Sequence, residues 1–412
     1  MLTAPSRSVK LRREMMPTAT TLALIESNLC SPSGFWGCDT SAQLAIKLAE
    51  KFKQAASGVR PGDALAAAFD VLVSVEYFVR GQADETGRPI ASYHSCPHMG
   101  KDLAFGVPNC CLPCLSTGLL ENLKGSKPQS AILGQTNSGC LARMIECLLR
   151  SKNSRTRVLC GREPADILIL VEDQLAVLGE IKSGPLCPFG FLALDAATAS
   201  VRVHSTGLSV KPGHSEFAML AFAVESHHAV KIPIKAGKGV VGRQAVCSIL
   251  EQLLAADGSV KLFLHWQQCR NEYHLAGSST PTKHTRSRFY WATAGCGGPS
   301  QSEAPRWPRK QTVSDGKTSV GMDRTDDIKK AAYQMLALRS WHNQTCADSA
   351  IVFTGLFSNF PAVRHSEYIK IIESHFVMQP DSSSTPRRLV DVVYSFPDAR
   401  TSDSRLKTLF TL

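Results

Sequence analysis

Asp166, Glu180 and Lys182 are the residues of this chain whose types and spacing best suit one reaction. Paired carboxylates offer hard oxygen ligands to Mg²⁺, an ion that keeps several waters and so leaves positions for a phosphate oxygen and an attacking water. An amine beside them can orient or deprotonate that water and stabilise the negative charge that develops at phosphorus. Hydrolysis of a phosphodiester needs those parts. Charges at strand ends are usually solvated, however, and Glu-x-Lys on a strand is a common exposed pair, so the tripeptide alone does not decide the matter.

The elements around these residues must bring them together. Ile167 to Val171 and Leu175 to Ile181 are short β-favouring runs joined by the polar turn Glu172-Asp173-Gln174, which predicts a hairpin of two central strands. Side chains alternate along a strand, so Glu180 and Lys182 share one face and Ile181 takes the other. The hairpin brings Asp166 alongside Glu180. Before it, Leu141, Ile145 and Leu148 recur at helical spacing, predicting a helix from Ser138 to Leu149 with Ser138 as N-cap.

The segment from Glu163-Pro164-Ala165-Asp166 to Glu180-Ile181-Lys182 closely resembles the PD-(D/E)xK nuclease superfamily, in which an Asp after a Pro precedes a (Asp/Glu)-x-Lys tripeptide by a strand-turn-strand. Ala165 between Pro164 and Asp166 departs from the pattern. Within that superfamily the chain looks like a type II restriction endonuclease: a helical N-terminal region, a Glu-Ile-Lys-Ser-Gly-Pro run after an apolar strand, and a later Asp-Asp-Ile-Lys-Lys-Ala helix. The resemblance is specific over roughly residues 138 to 190 and diffuse elsewhere. It implies site-specific cleavage of double-stranded DNA, Asp166 and Glu180 as Mg²⁺ ligands, Lys182 as the residue orienting water, and 5′-phosphate products. The family often takes a further acid from the preceding helix, and Glu146 is the candidate accessory acid, its bland alternative being a solvent-facing helix residue. Cleavage of a palindrome in both strands implies a two-fold homodimer, and such a system carries a cognate DNA methyltransferase that is not a physical partner. A repair or mobile-element nuclease of the same superfamily, and a non-catalytic zinc-stabilised DNA-binding protein, are the rival readings.

A second constellation, His94-Ser-Cys96-Pro-His98 followed by Cys110-Cys111-Leu-Pro-Cys114, has the spacing of a tetrahedral zinc site. Cys96, His98, Cys111 and Cys114 are the expected ligands of a structural Zn²⁺ in a segment poor in apolar residues; adjacent free thiols in a loop are the alternative. The other cysteines, such as Cys140, Cys147, Cys160 and Cys247, sit singly in apolar contexts and read as free thiols packed as small hydrophobes.

The fold class expected is α/β: a restriction-endonuclease-like mixed sheet flanked by helices, with an N-terminal helical region and a Cys/His-rich insertion. Residues 1–20 read as a disordered leader, 21–135 as the helical region with the zinc segment at 93–115, and 136–412 as the nuclease core with a long basic loop at 278–322. Helices are expected from Ala42 to Ala55, Asp63 to Phe78, Val240 to Leu254 and Thr325 to Trp341, and strands from Val260 to Trp266, Ala350 to Thr354 and Leu389 to Tyr394. The balance of 46 Lys and Arg against 35 Asp and Glu, formally +11, suits a polyanionic partner such as nucleic acid. Lys283, Arg286, Arg288, Arg306, Arg309 and Lys310, interleaved with aromatic residues, suit wrapping of DNA or an unstructured tether. Two weaker signals are read structurally: Lys235 to Arg243 as a turn into a helix, and the acids from Asp323 to Asp327 as a helix N-terminus. No run approaches the ~20 apolar residues of a membrane helix, and a cytoplasmic, prokaryotic protein without membrane contact is expected.

Overall fold

Apolar residues at helical spacing begin the ordered chain. The computed structural model describes residues 29, 39–55, 57–83, 92–96, 101–105, 127–161, 165–172, 175–195, 216–222, 229–235, 242–276, 320–323, 325–345, 351–377 and 386–411. Helix α1 (Asp39–Ala55) buries Leu44, Ala45, Leu48 and Phe52. Helix α2 (Pro61–Ala83) opens on Pro61, whose fixed φ suits a first helical position, and is buried on every side from Gly62 to Val79, as befits a central helix. Strands β1 (Ser92–Cys96) and β2 (Lys101–Phe105) come next, then helix α3 (Lys127–Lys152). That helix is longer than expected. Ser138 lies inside it rather than capping it, and the expected domain boundary at 135–136 falls within its continuous backbone.

Strands β3 (Thr156–Cys160), β4 (Ile167–Val171) and β5 (Leu175–Ile181) follow, with the hairpin pairing foreseen from the sequence. Between β5 and the next strand of its sheet lie β6 (Phe191–Ala193), β7 (Glu216–Phe222), β8 (Ala229–Lys235), helix α4 (Arg243–Ala255), a 3₁₀ turn (Asp257–Ser259), helix α5 (Val260–Ala276) and helix α6 (Thr325–Thr345). Val260 to Trp266, expected as a strand, is the first half of α5. Leu262, Phe263, Trp266, Cys269 and Tyr273 form its buried stripe at spacings of three and four, a period that the seven-residue window was too short to expose. The chain closes with β9 (Ile351–Ser358), α7 (Ser366–Ser374), β10 (Phe376–Val377), β11 (Arg387–Arg388), β12 (Val392–Ser395), β13 (Asp398–Thr401) and α8 (Ser404–Phe410).

The architecture is mixed α/β. A six-stranded sheet has the order β13-β12-β9-β5-β4-β3: β3, β4 and β5 are antiparallel neighbours, β9 runs parallel to β5 and to β12, and β13 turns back on β12. A second, antiparallel sheet has the order β1-β2-β6-β7-β8.

Alternation sorts the first sheet onto two cores. Ile167, Ile169, Val177, Ile181 and Phe357 face a large core shared with α1 to α5 and with the second sheet. Leu168, Leu170, Ala176, Leu178 and Leu356 face a smaller one with Ile328, Ala331, Met335 and Leu338 of α6 and Ile369 and Ile372 of α7. The N-terminal helices therefore share a core with the sheet. Helix α6 is tied to its face of that sheet by the buried Arg339, whose guanidinium donates to Thr354 Oγ1 at 2.8 Å and pairs with Asp391. Thr354 N–H donates to the same Asp391 carboxylate at 2.9 Å.

Candidate active site

The register Ile167↔Gly179 sets Asp166 beside Glu180, at the end of the hairpin away from its turn. Asp166 shares strand parity with Leu168 and Leu170, and Glu180 and Lys182 share it with Ala176 and Leu178, so all three project on the side of the sheet covered by α6. Asp166 Oδ2 accepts the backbone N–H of Ile181 at 3.0 Å, which locks the aspartate to the neighbouring strand. Lys182 Nζ pairs with Glu180 Oε1 and lies 3.5 Å from Gln334 Oε1 of α6.

The site is poor in water. Glu180 is only 2% exposed, whereas the Lys182 side chain keeps 18% of its surface. Burial raises the Asp166 carboxyl above the ordinary carboxylate range, with the Ile181 N–H and the Lys182 charge acting the other way. Burial, and secondarily the negative charge of Asp166, pushes Glu180 up to about 8, again opposed by Lys182. Two carboxyl groups within hydrogen-bonding reach of each other in a dehydrated setting resist joint ionisation unless a cation joins them.

The chain beyond Lys182 is held on several sides. Lys182 N–H donates to Phe357 O of β9 at 2.9 Å. The Asn359 side chain accepts from Gly184 N at 3.0 Å and donates to Gly184 O at 2.9 Å. Asn137 of α3 donates to Ser183 O at 3.2 Å, and its own Oδ1 accepts the Tyr77 hydroxyl of α2. One residue before Glu180, Gly179 lets the Phe357 ring lie against bare backbone, because a Cβ there would come within 2.3 Å of that ring.

Glu146 is not brought to this group. It belongs to α3, on the opposite face of the sheet, and lines a pocket with Arg150, Thr156, Val158 and Glu172 at the turn end of the hairpin. At about 3.3 Å per residue the length of β4, roughly 13 Å, separates the two ends. Glu146 is buried and lies 3.8 Å from Arg150, so the family's accessory-acid role does not carry over to it. A residue of α3 that does approach the segment after Lys182 is Asn137.

Of the expected zinc ligands, Cys96 ends β1, and His98, Cys111 and Cys114 lie outside the described residues. The Cys/His group present among the described residues is a different one: Cys187, His265 and Cys269, all buried, with potential ligand atoms within 4.8 Å of one another. Cys140, Cys147, Cys160 and Cys247 are in no disulfide, as read from their contexts.

Asp323 stays outside the site, as expected, but for another reason. Its carboxylate accepts the backbone N–H groups of Val363, Arg364 and His365 at 2.9–3.1 Å and the Tyr273 hydroxyl, a structural cap for the turn into α7. The basic and aromatic stretch from Lys283 to Lys310 and the glycines from 237 to 239 lie outside the described residues.

Sequence reasoning missed Gln334, Asn359, Asn137 and Tyr77. Each comes from a segment distant in sequence, and nothing in its local context marks it. The Cys187 group had a partial signal, since His265 and Cys269 are four residues apart and share a helix face once 260–276 is recognised as helical.

Compared with protein-family models, curated proteins and solved structures, the chain has no match to any of the three, so its functional reading rests on its own residues. Among the described residues no helix is long and apolar enough to cross a membrane.

Proposed function

We propose that this chain is a Mg²⁺-dependent endonuclease that hydrolyses double-stranded DNA at a specific site and leaves 5′-phosphate ends, in the manner of a type II restriction enzyme of the PD-(D/E)xK superfamily. The observation that carries the reading is the convergence of Asp166, Glu180 and Lys182 on one face, at adjoining positions of paired strands, with Glu180 buried and Asp166 half-buried. Their donor set fits a hard divalent cation, which would offset the crowding of two negative charges that raises Glu180. Asp166 and Glu180 would hold it, and the ion would polarise the scissile phosphate and acidify a bound water.

The chain's own residues have distinct tasks. Asp166 keeps its orientation through the Ile181 N–H, so one of its oxygens is committed to positioning. Lys182, whose side chain is more solvent-accessible than that of Glu180, is available to orient the water and to meet charge developing on the phosphate. Gln334 gives the amine a neutral neighbour on α6, which lets it turn away from Glu180 without losing every polar contact. The mixed sheet, with helices on both faces, supports a restriction-endonuclease-like core in which α6 bridges from β5 toward the parallel strand β9. A formal charge of +11 favours association with a duplex, and cutting of both strands of a palindrome would follow from a two-fold dimer.

Incubation of the full chain with plasmid DNA and Mg²⁺, with and without a chelator, tests this. Discrete fragments that ligate through 5′-phosphates, form only with the metal, and disappear with Asp166→Ala or Lys182→Ala support it. No scission with any divalent ion, or cleavage retained by Asp166→Ala, overturns it. Cleavage only at ends, junctions or lesions supports the chemistry and replaces the restriction role with a repair role.

A further inference from the structure

We infer that Cys187, His265 and Cys269 form a buried binding site for a thiophilic divalent cation, of which zinc is the best fit, separate from the carboxylate pair. His265 and Cys269, one turn apart, lie on the same face of α5. Cys187 comes from the segment that leaves the catalytic strand, five residues after Lys182, between Leu186 and Pro188. Cys187 Sγ lies 3.5 Å from Cys269 Sγ, and 3.9 and 4.0 Å from the two ring nitrogens of His265.

Those separations have a specific meaning. Ligand atoms about 2.0–2.3 Å from a tetrahedral zinc lie about 3.4–3.8 Å from one another, the edges of the tetrahedron. The sulfur pair is within that range. The Cys187 sulfur lies a few tenths of an ångström beyond it from either ring nitrogen, and almost equally far from both, so the cation would draw the His265 ring round until one nitrogen faced the two sulfurs. A disulfide would require sulfurs about 2.05 Å apart. The three side chains are also almost wholly withdrawn from water, at 0%, 2% and 0% exposure, which suits a closed structural site.

The surroundings are built to hold both elements. Asp70 of α2 is fully buried, and its Oδ2 accepts the Cys187 N–H at 2.8 Å and the Trp266 indole N–H at 2.9 Å. One carboxylate thus fixes the backbone of one ligand and the helix residue adjoining another, an outer-shell arrangement common around metal ligands. The Phe189 and His265 rings pack nearly at right angles, with centroids 5.7 Å apart. The cation would bolt α5 to the segment that carries Lys182, so its chemistry is structural and its influence on catalysis is through position.

Zinc analysis of the full chain, produced with zinc supplied, is the test, together with anomalous diffraction at the zinc absorption edge from crystals of the same protein. The expected result is an anomalous peak among Cys187 Sγ, Cys269 Sγ and the His265 ring. One zinc equivalent per chain should be lost in the Cys187→Ala, Cys269→Ala double variant and kept in Cys111→Ser. A folded chain with no metal at this position, a Cys187–Cys269 disulfide in its place, or a double variant that keeps the full zinc content overturns the proposal. The diffraction result needs no substitution and so stands even where the double variant fails to fold. It also reports independently of nuclease activity: zinc without cleavage would leave this site intact and remove only the nuclease reading.

Discussion

Each residue of the trio has a separable energetic role. Asp166→Asn keeps an acceptor for the Ile181 N–H but removes one of two like charges from a dehydrated place. Cleavage should therefore fall by about 10²–10³-fold, in the range seen when a group that stabilises the transition state is removed, while the melting temperature of the metal-free protein stays level or rises. A drop of several degrees would mean that the carboxylate contributes to folding and not to chemistry, and thermal denaturation beside a rate assay reads both. Gly179 is constrained by its neighbour rather than by its backbone. Gly179→Ala would drive a methyl into the Phe357 ring, a part of the core with no flexible end to yield. We expect a loss of about 1–3 kcal/mol, measured by denaturant unfolding, and a larger proportional loss of activity because Glu180 is the next residue. Unchanged stability would mean that Phe357 rotates freely, contrary to its buried packing against Tyr394 and Phe410.

At the scale of elements, helix α8 offers a clean test of local chemistry. Asp403 precedes it in an extended conformation and accepts the Arg405 N–H at 2.8 Å, and its carboxylate also pairs with the Arg405 guanidinium. Asp403→Ala should cost about 1 kcal/mol, as loss of an N-cap does, while leaving cleavage unchanged, since α8 buries Leu406, Leu409 and Phe410 in the large core, on the face of the sheet opposite the trio. The Arg405 partnership holds the Asp403 carboxyl below its ordinary range. A lowered acid stabilises the folded state above its unfolded pKa and loses that contribution as pH falls through the folded value. The difference in stability between the parent and Asp403→Ala should accordingly be full at neutral pH and vanish in strong acid; a difference that grew on acidification would contradict the pairing. Helix α5 carries the opposite lesson. Its opening residues, Val260 to Trp266, include the β-favouring Val260, Phe263 and Trp266, and the tertiary core selects the helical stripe that buries Leu262, Phe263 and Trp266 together.

The whole molecule is cationic, and the proposed partner is a polyanion. Binding of the inactive Asp166→Asn protein to duplex DNA should weaken by about 10³-fold or more between about 50 and 200 mM salt if six or more phosphates are neutralised. Affinity insensitive to salt, by fluorescence anisotropy, would argue against DNA as the ligand. Much of the molecule was readable from residue order alone. The hairpin, the alternation that puts Glu180 and Lys182 on one side, and the helices opening with Ala42, Asp63 and Thr325 follow from periods of two and of about 3.6, which a local window contains in full. The association of Asp166 with Glu180 was legible for the same reason, because a short turn joins their strands. What the fold alone decided depends on contacts between distant segments: that β9 lies parallel beside β5, that α6 delivers Gln334 to Lys182, that Asn137 of α3 reaches the segment after Lys182, and that Cys187 meets His265 and Cys269 across the large core. Such pairings are selected by the joint burial of many side chains, a property of the packed chain that no single stretch of residues encodes.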